Sequence, residues 1–180
     1  YYTIRPPYIY RLLYGKALFR KKESTKTLYL TFDDGPQKEA TDWVLDELKK
    51  YNARATFFCL GKNAKKNPEL FNRIKAEGHS VGNHTFNHTN GWKFDLETYL
   101  KDVKDCEKQF QSMLFRPPYG KIKPNQFKAV SKNYQVVFWD VIAGDFDPKT
   151  KKKKCLKNVL DNTRNGSIIV LHDSQKASEK

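Results

Sequence analysis

Cysteine is scarce in this chain, with three residues in 180: Cys59, Cys106 and Cys155. An odd number without a Cys-x-x-Cys pair argues against a disulfide framework and a thiolate zinc site, so the three are expected to be small packing residues. Long apolar runs are missing as well. No uninterrupted segment approaches the roughly twenty residues that span a bilayer, and no low-complexity linker or solenoid repeat divides the chain. Acidic residues are outnumbered, 20 Asp and Glu against 34 Lys and Arg, for a formal charge of +14. Such a field draws a protein toward nucleic acid, an anionic membrane or an acidic glycan. The lysines are scattered, however, and the one tight run, 149-KTKKKKCLK-157, reads as the solvated start of a helix, which argues against specific nucleic-acid binding. The opening residues YYTIRPPYIYRLLYGKALFRKK lack the apolar run and small-residue cleavage site of a secretory signal, and the first residue is not Met. Export therefore stays undecided.

Hydrophobic residues at 38% and aromatics at 14% are enough for a packed core. A chain of this length is expected to form one domain and to act as a monomer, with residues 1–26 as an arm and 27–180 as the body. Strand and helix signals alternate along the body. Strands are expected at 27–36, 54–61, 79–85 (short, or a turn), 113–120, 135–143 and 167–173. Helices are expected at 40–52, with Trp43, Val44, Leu45 and Leu48 at helical spacing, and at 68–78, which starts at Pro and ends at Gly. Further helices are expected at 95–110, 124–133 and 151–164. This alternation implies a mainly parallel sheet or barrel wrapped by helices, with reactive groups gathered where strands end. Asp33, Asp34, His84, Arg116, Asp145 and His172 all fall at or just beyond strand ends.

The stretch 27-TLYLTFDDGP-36 runs a strand into two adjacent carboxylates, which repel unless something offsets them. In isolation it reads as a polar turn. The stretch 83-NHTFNH-88 sets His84 and His88 four apart, which would place two imidazoles on one side of a helical turn; alone this is a weak metal signal. Two His and one carboxylate make an open zinc site with room for water, whose pKa the ion lowers. One of Asp33 and Asp34 can be the third ligand and the other a general base.

Five stretches in order carry a family resemblance: Thr31-Phe32-Asp33-Asp34-Gly35-Pro36, His84-Thr85-Phe86-Asn87-His88, Arg116-Pro117-Pro118-Tyr119-Gly120, Trp139-Asp140 with Asp145, and Leu171-His172. From about Leu28 to Asp173 the chain resembles the polysaccharide deacetylases, carbohydrate esterase family 4. The resemblance implies a distorted, incomplete (β/α) barrel and metal-dependent removal of N- or O-acetyl groups from an acetylated glycan or amino sugar, with Zn²⁺, Co²⁺ or another divalent transition metal. It makes Asp33 the general base, Asp34, His84 and His88 the metal ligands, and His172 the general acid. Arg116 would orient the base, Asp145 would tune the acid, and the Tyr119 backbone N–H would face the oxyanion. Leu171 and Trp139 would line the acetyl pocket, with Pro118 beside them. The family's fourth motif commonly reads Asp-x-x-Asp-Trp, whereas 142-IAGDF-146 keeps Asp145 but has Ile142 and Phe146 at its ends, a change to the groove wall more than to the chemistry.

Trp92, Tyr119, Trp139 and Phe146 are candidates for stacking on sugars. Trp92 follows His88 in a loop-like stretch, and a shallow, open groove suited to a polymer or a lipid-linked sugar is expected. His79 is assigned a structural place near the mouth. The arm carries a second Arg-Pro-Pro-Tyr, at 5–8, and is read as extended; Ile4, Ile9, Leu12 and Leu13 are expected to pack over the open bottom of the barrel, with a membrane surface as the alternative. Two rival readings of function stay open: a carbohydrate-binding protein on an inactive deacetylase scaffold, and a basic nucleic-acid-binding protein.

Overall fold

The computed structural model describes residues 2–177. Seven parallel strands form one curled sheet: β1 (Tyr29–Asp33), β2 (Ala55–Cys59), β3 (Ser80–Asn83), β4 (Leu114–Phe115), β5 (Gln135–Val136), β6 (Val141–Ile142) and β7 (Ile168–His172). Their spatial order is β5-β4-β3-β2-β1-β7-β6. The sheet closes partway, as a distorted, incomplete (β/α) barrel.

Helices α1 (Tyr8–Leu13), α2 (Ala40–Lys50), α3 (Gly61–Lys66), α4 (Pro68–Ala76), α5 (Leu96–Glu107), α6 (Pro124–Val130) and α7 (Lys152–Asn162) surround it. Pro68 opens α4 at a position whose N–H has no helical partner anyway. The Asp95 carboxylate caps α5 by accepting from Thr98 N at 2.8 Å. Val44, Leu45 and Leu48 of α2 pack with Leu70, Phe71 and Ile74 of α4 against Phe32 and Phe57. Trp43 does not join them. It is 65% exposed, because the buried stripe of α2 turns through Val44 and Leu48 and leaves position 43 outside. A second cluster joins Tyr14 and Phe19 of the arm to Phe115, Phe127, Val136 and Phe138. The three cysteines form no disulfide and are buried.

Three expectations are corrected by the structure, and one helix is added. The strand expected over 135–143 is two short strands on opposite edges of the sheet, with residues 137–140 crossing between them. Helix α3, in a stretch for which the sequence suggested no element, consists largely of polar residues and begins just after β2. His79 lies just before β3, at the far end from the mouth, where its Nδ1 accepts from Ala55 N at 3.3 Å. The arm is not simply extended, since residues 8–13 form α1, and Ile9, Leu12 and Leu13 are exposed by half or more. Its anchorage comes from other groups. Leu18 N donates to Val136 O and Phe138 N to Leu18 O, each at 2.8 Å, along the β5 edge, and Ile142 N donates to Ile4 O along the β6 edge, so the arm covers both edges of the sheet. Arg5 and Arg11 each reach the fully buried Asp140 at 3.1 Å, which also accepts from Arg164 and Ser167.

Candidate active site

The strand register brings the chemistry together. Asp33 ends β1 directly beside His172, which ends β7. On the other side, Asp33 pairs with Phe58 and Cys59 with Asn83, while Asn83 pairs with Phe115. Asp34, His84 and Arg116 are therefore the next residues out from β1, β3 and β4, at one mouth. His84 and His88 do not share a helical turn. They bracket an irregular loop in which Thr85 and His88 both have positive φ, 63° and 67°. Asp34, at φ 79°, is held in the same sparsely populated region. Such backbone is retained only where its surroundings enforce it.

The two aspartates sit in different environments. Asp33 is buried, and its Oδ1 accepts from Arg116 Nη1 at 2.7 Å. Arg116 is wholly buried; it donates as well to Thr31 Oγ1, Val137 O and Phe138 O, and its guanidinium stacks 4.0 Å from the Phe58 ring. Burial pulls the Arg116 pKa down and the Asp33 charge resists that pull. Asp34 Oδ1, by contrast, is buried without a hydrogen-bond partner among the described residues. It lies 3.1 Å from His88 Nε2 and 3.6 Å from His84 Nε2. Burial would raise the Asp34 pKa, but His88, His172 and His84 together bring it well below the ordinary carboxylate range. His84 Nδ1 is 2.8 Å from the Arg116 carbonyl, which can only accept, so Nδ1 carries the proton and Nε2 keeps its lone pair toward Asp34. Burial is the main cause that brings the His84 pKa down to about 4, leaving that ring neutral near pH 7. An anionic oxygen and two imidazole nitrogens, all within 4.8 Å of one another and one of them lacking a donor, are a donor set that fits a divalent transition metal.

Opposite this trio, Asp145 grips His172 twice. Its Oδ1 lies 2.8 Å from His172 Nδ1, and its Oδ2 accepts from the His172 backbone N at 2.7 Å. Burial opposes the charged imidazole, yet Asp145 outweighs it, with help from Asp34 and Asp33, and the pKa is pushed up to about 9. Phe146 packs 5.1 Å from the His172 ring and Tyr2 of the arm packs 5.1 Å from Phe146. Ile142 is buried in β6. Tyr119 has φ 61° and its ring lies 4.4 Å from that of His88. In that turn Gly120 N and Lys121 N find carbonyls, whereas Tyr119 N donates to none among the described residues. Gly120 follows at φ 66°, where a Cβ would come 2.5 Å from Trp139. Pro118 is buried beneath, Leu171 is partly buried next to His172, and Trp92 is half exposed with Lys121 over its ring.

Two supporting carboxylates lay outside the sequence expectations. Asp102 on α5 accepts from Asn87 N, Asn87 Nδ2 and Thr89 Oγ1, tying down the loop that carries His88. Its signal was a charge on the buried stripe formed with Tyr99, Val103 and Cys106. Asp173 is buried, accepts from Gly35 N and Thr41 Oγ1, and has its pKa pushed up to about 8 chiefly by burial.

Residues 20–138 match the family model described as Polysaccharide deacetylase, about two thirds of the chain. The chain belongs to the polysaccharide deacetylase family. It is 40% identical over 152 residues to a peptidoglycan-N-acetylglucosamine deacetylase of Bacillus cereus, covering 81% of this chain and 55% of that one. A second protein of that description from Bacillus cereus is 36% identical over 166 residues, covering 88% and 78%. The chain thus spans about half the length of one relative and most of the other. Among solved structures, the Bc1960 peptidoglycan N-acetylglucosamine deacetylase superposes with a TM-score of 0.85 at 34% identity, over 97% of this chain and 86% of that one.

Proposed function

We propose that this family member is a metal-dependent hydrolase that removes N-acetyl groups from a glycan built of amino sugars. One contrast carries the reading: of two adjacent aspartates, Asp33 is locked by a buried arginine while Asp34 Oδ1 faces two imidazole nitrogens with no donor. In this reading Asp34, His84 and His88 hold the ion. When bound, a divalent transition metal supplies Lewis-acid polarisation and a lowered water pKa. Asp33, held in place by Arg116, takes the proton of the water that attacks the acetamido carbon. The Tyr119 N–H donates to the oxyanion as charge develops on it. His172, kept protonated by Asp145, gives a proton to the nitrogen as the C–N bond breaks, releasing acetate and a free amine. Intact donors and both proton-transfer groups favour an enzyme over an inactive carbohydrate-binding scaffold. The names of the relatives support peptidoglycan amino sugars as the substrate class.

Asp33→Asn and Asp34→Asn separate the two roles. Asp33→Asn is expected to retain one zinc per chain and to lose about 10²–10⁴-fold in kcat, the usual worth of a general base. Asp34→Asn is expected to bind zinc more weakly and to regain part of its activity in excess zinc. Zinc loss in the first variant with retention in the second would reverse the assignment.

A further inference from the structure

The loop between β6 and α7 carries Asp145, and the arm closes over it. Ile142 N, at the end of β6, donates to Ile4 O at 3.0 Å, which brings the arm alongside the start of the loop. Two residues earlier in the arm, the Tyr2 ring meets Phe146 edge-on at 5.1 Å, and Phe146 in turn lies 5.1 Å from the His172 ring. The Tyr2 hydroxyl is 3.1 Å from Oγ1 of the buried Thr150, just past the loop. It also fills the space beside Gly144, which has φ 84° and where a Cβ would come 2.0 Å from the Tyr2 oxygen. On the inner side, Ala143 N donates to Val170 O at 3.0 Å and Asn158 Nδ2 to Ala143 O at 2.9 Å. Both of those bonds act before Gly144. Beyond it, the packing of Tyr2 on Phe146 supports the part of the loop that bears Asp145.

We infer that Tyr2 is a positioning residue for the proposed acid: it backs Phe146 against His172 and so keeps the His172–Asp145 pair aligned. The inference rests on the deacetylase reading and adds to it a residue of the arm, outside the stretch that the family model matches. Rings packed edge to face are held in orientation as well as in contact. Phe146 covers one side of the imidazole, and excluding water there strengthens its bond to Asp145. The acid must stand within hydrogen-bond reach of the departing nitrogen, and a displacement of about 1 Å costs on the order of 10² in rate. Tyr2 touches neither the proton nor the nitrogen, so its effect passes through Phe146 to the acid.

The test compares the zinc-loaded wild type with Tyr2→Ala and Tyr2→Phe in acetate release from an N-acetylglucosamine tetramer, and follows hydrogen exchange of the His172 backbone N–H, which donates to Asp145 Oδ2 at 2.7 Å. In Tyr2→Ala we expect kcat to fall by about ten- to a hundredfold with KM within about twofold, because a displaced acid is missed only in the transition state. The variant should still bind one zinc per chain, and its His172 N–H should exchange faster. Tyr2→Phe keeps the ring edge on Phe146 and should retain kcat within about threefold of the wild type, with ordinary exchange, a rescue that separates ring packing from the hydroxyl's bond to Thr150. An unchanged kcat in Tyr2→Ala, with or without faster exchange, overturns the inference and leaves the deacetylase reading standing. So does a rise in KM at constant kcat, which would make Tyr2 a wall of the substrate groove, or a Tyr2→Phe as slow as Tyr2→Ala. A wild type that releases no acetate overturns the deacetylase reading; the exchange comparison then decides by itself whether Tyr2 holds the His172–Asp145 pair, faster exchange in Tyr2→Ala supporting it and equal exchange overturning it.

Discussion

At the scale of single residues, the candidate site holds chemically similar groups in unlike surroundings. Asp33 and Asp34 are neighbours in sequence, yet one faces a guanidinium and the other two imidazoles. His84 is buried and His172 partly buried, but burial brings the first down to about 4 while Asp145 pushes the second up to about 9. In the proposed reaction His172 is the proton donor and must be protonated, so activity is expected below the His172 pKa and is expected to be lost as pH rises through it. Asp145→Asn removes the charge that favours the imidazolium. The alkaline limb of kcat/KM against pH should therefore move to lower pH, by roughly one to three units. An unmoved limb would take His172 or Asp145 out of the proton transfer. The five short motifs made these residues legible in the sequence, because each follows a strand and strand ends meet at one mouth. Asp102 and Asp173 were not legible, because a carboxylate that serves only to hold backbone N–H groups carries no motif of its own.

At the scale of elements, the loop of residues 84–88 depends on its neighbour α5. Two residues of the loop have positive φ, and Asp102 offsets that strain by accepting three hydrogen bonds from Asn87 and Thr89. Asp102→Ala leaves those donors unpaired, at a cost of about 1–3 kcal/mol each where burial is complete. The variant should melt at a lower temperature and bind zinc more weakly than the wild type while keeping its circular dichroism spectrum. Unaltered zinc affinity would show that the loop holds His88 without help from α5. The long amphipathic helices and the apolar strands β1, β2 and β7 were readable from periodicity and residue type. The stretch 135–143 was not: its apolar residues suit one long strand, but closing the barrel splits them between two edges. Helix α1 also escaped notice, since its apolar residues Ile9, Leu12 and Leu13 remain outside and the arm is held instead by Tyr14, Phe19 and the arginines on Asp140.

At the scale of the whole molecule, a half-closed barrel gathers the proposed proton-transfer groups and metal ligands at the strand C-termini, while the arm closes both edges of the sheet through Leu18 and Ile4. Fold class and mouth follow from the strand–helix alternation together with the order of the motifs. The most direct measurement is acetate release from an N-acetylglucosamine oligomer and from peptidoglycan fragments by protein stripped with a chelator, before and after addition of one equivalent of Zn²⁺. Release should be absent from the stripped protein, return with the metal, and stay lost in Asp33→Asn under the same conditions. Full release by metal-free protein, or none by the metal-loaded wild type on any glycan, would contradict a metal-dependent deacetylase at this site.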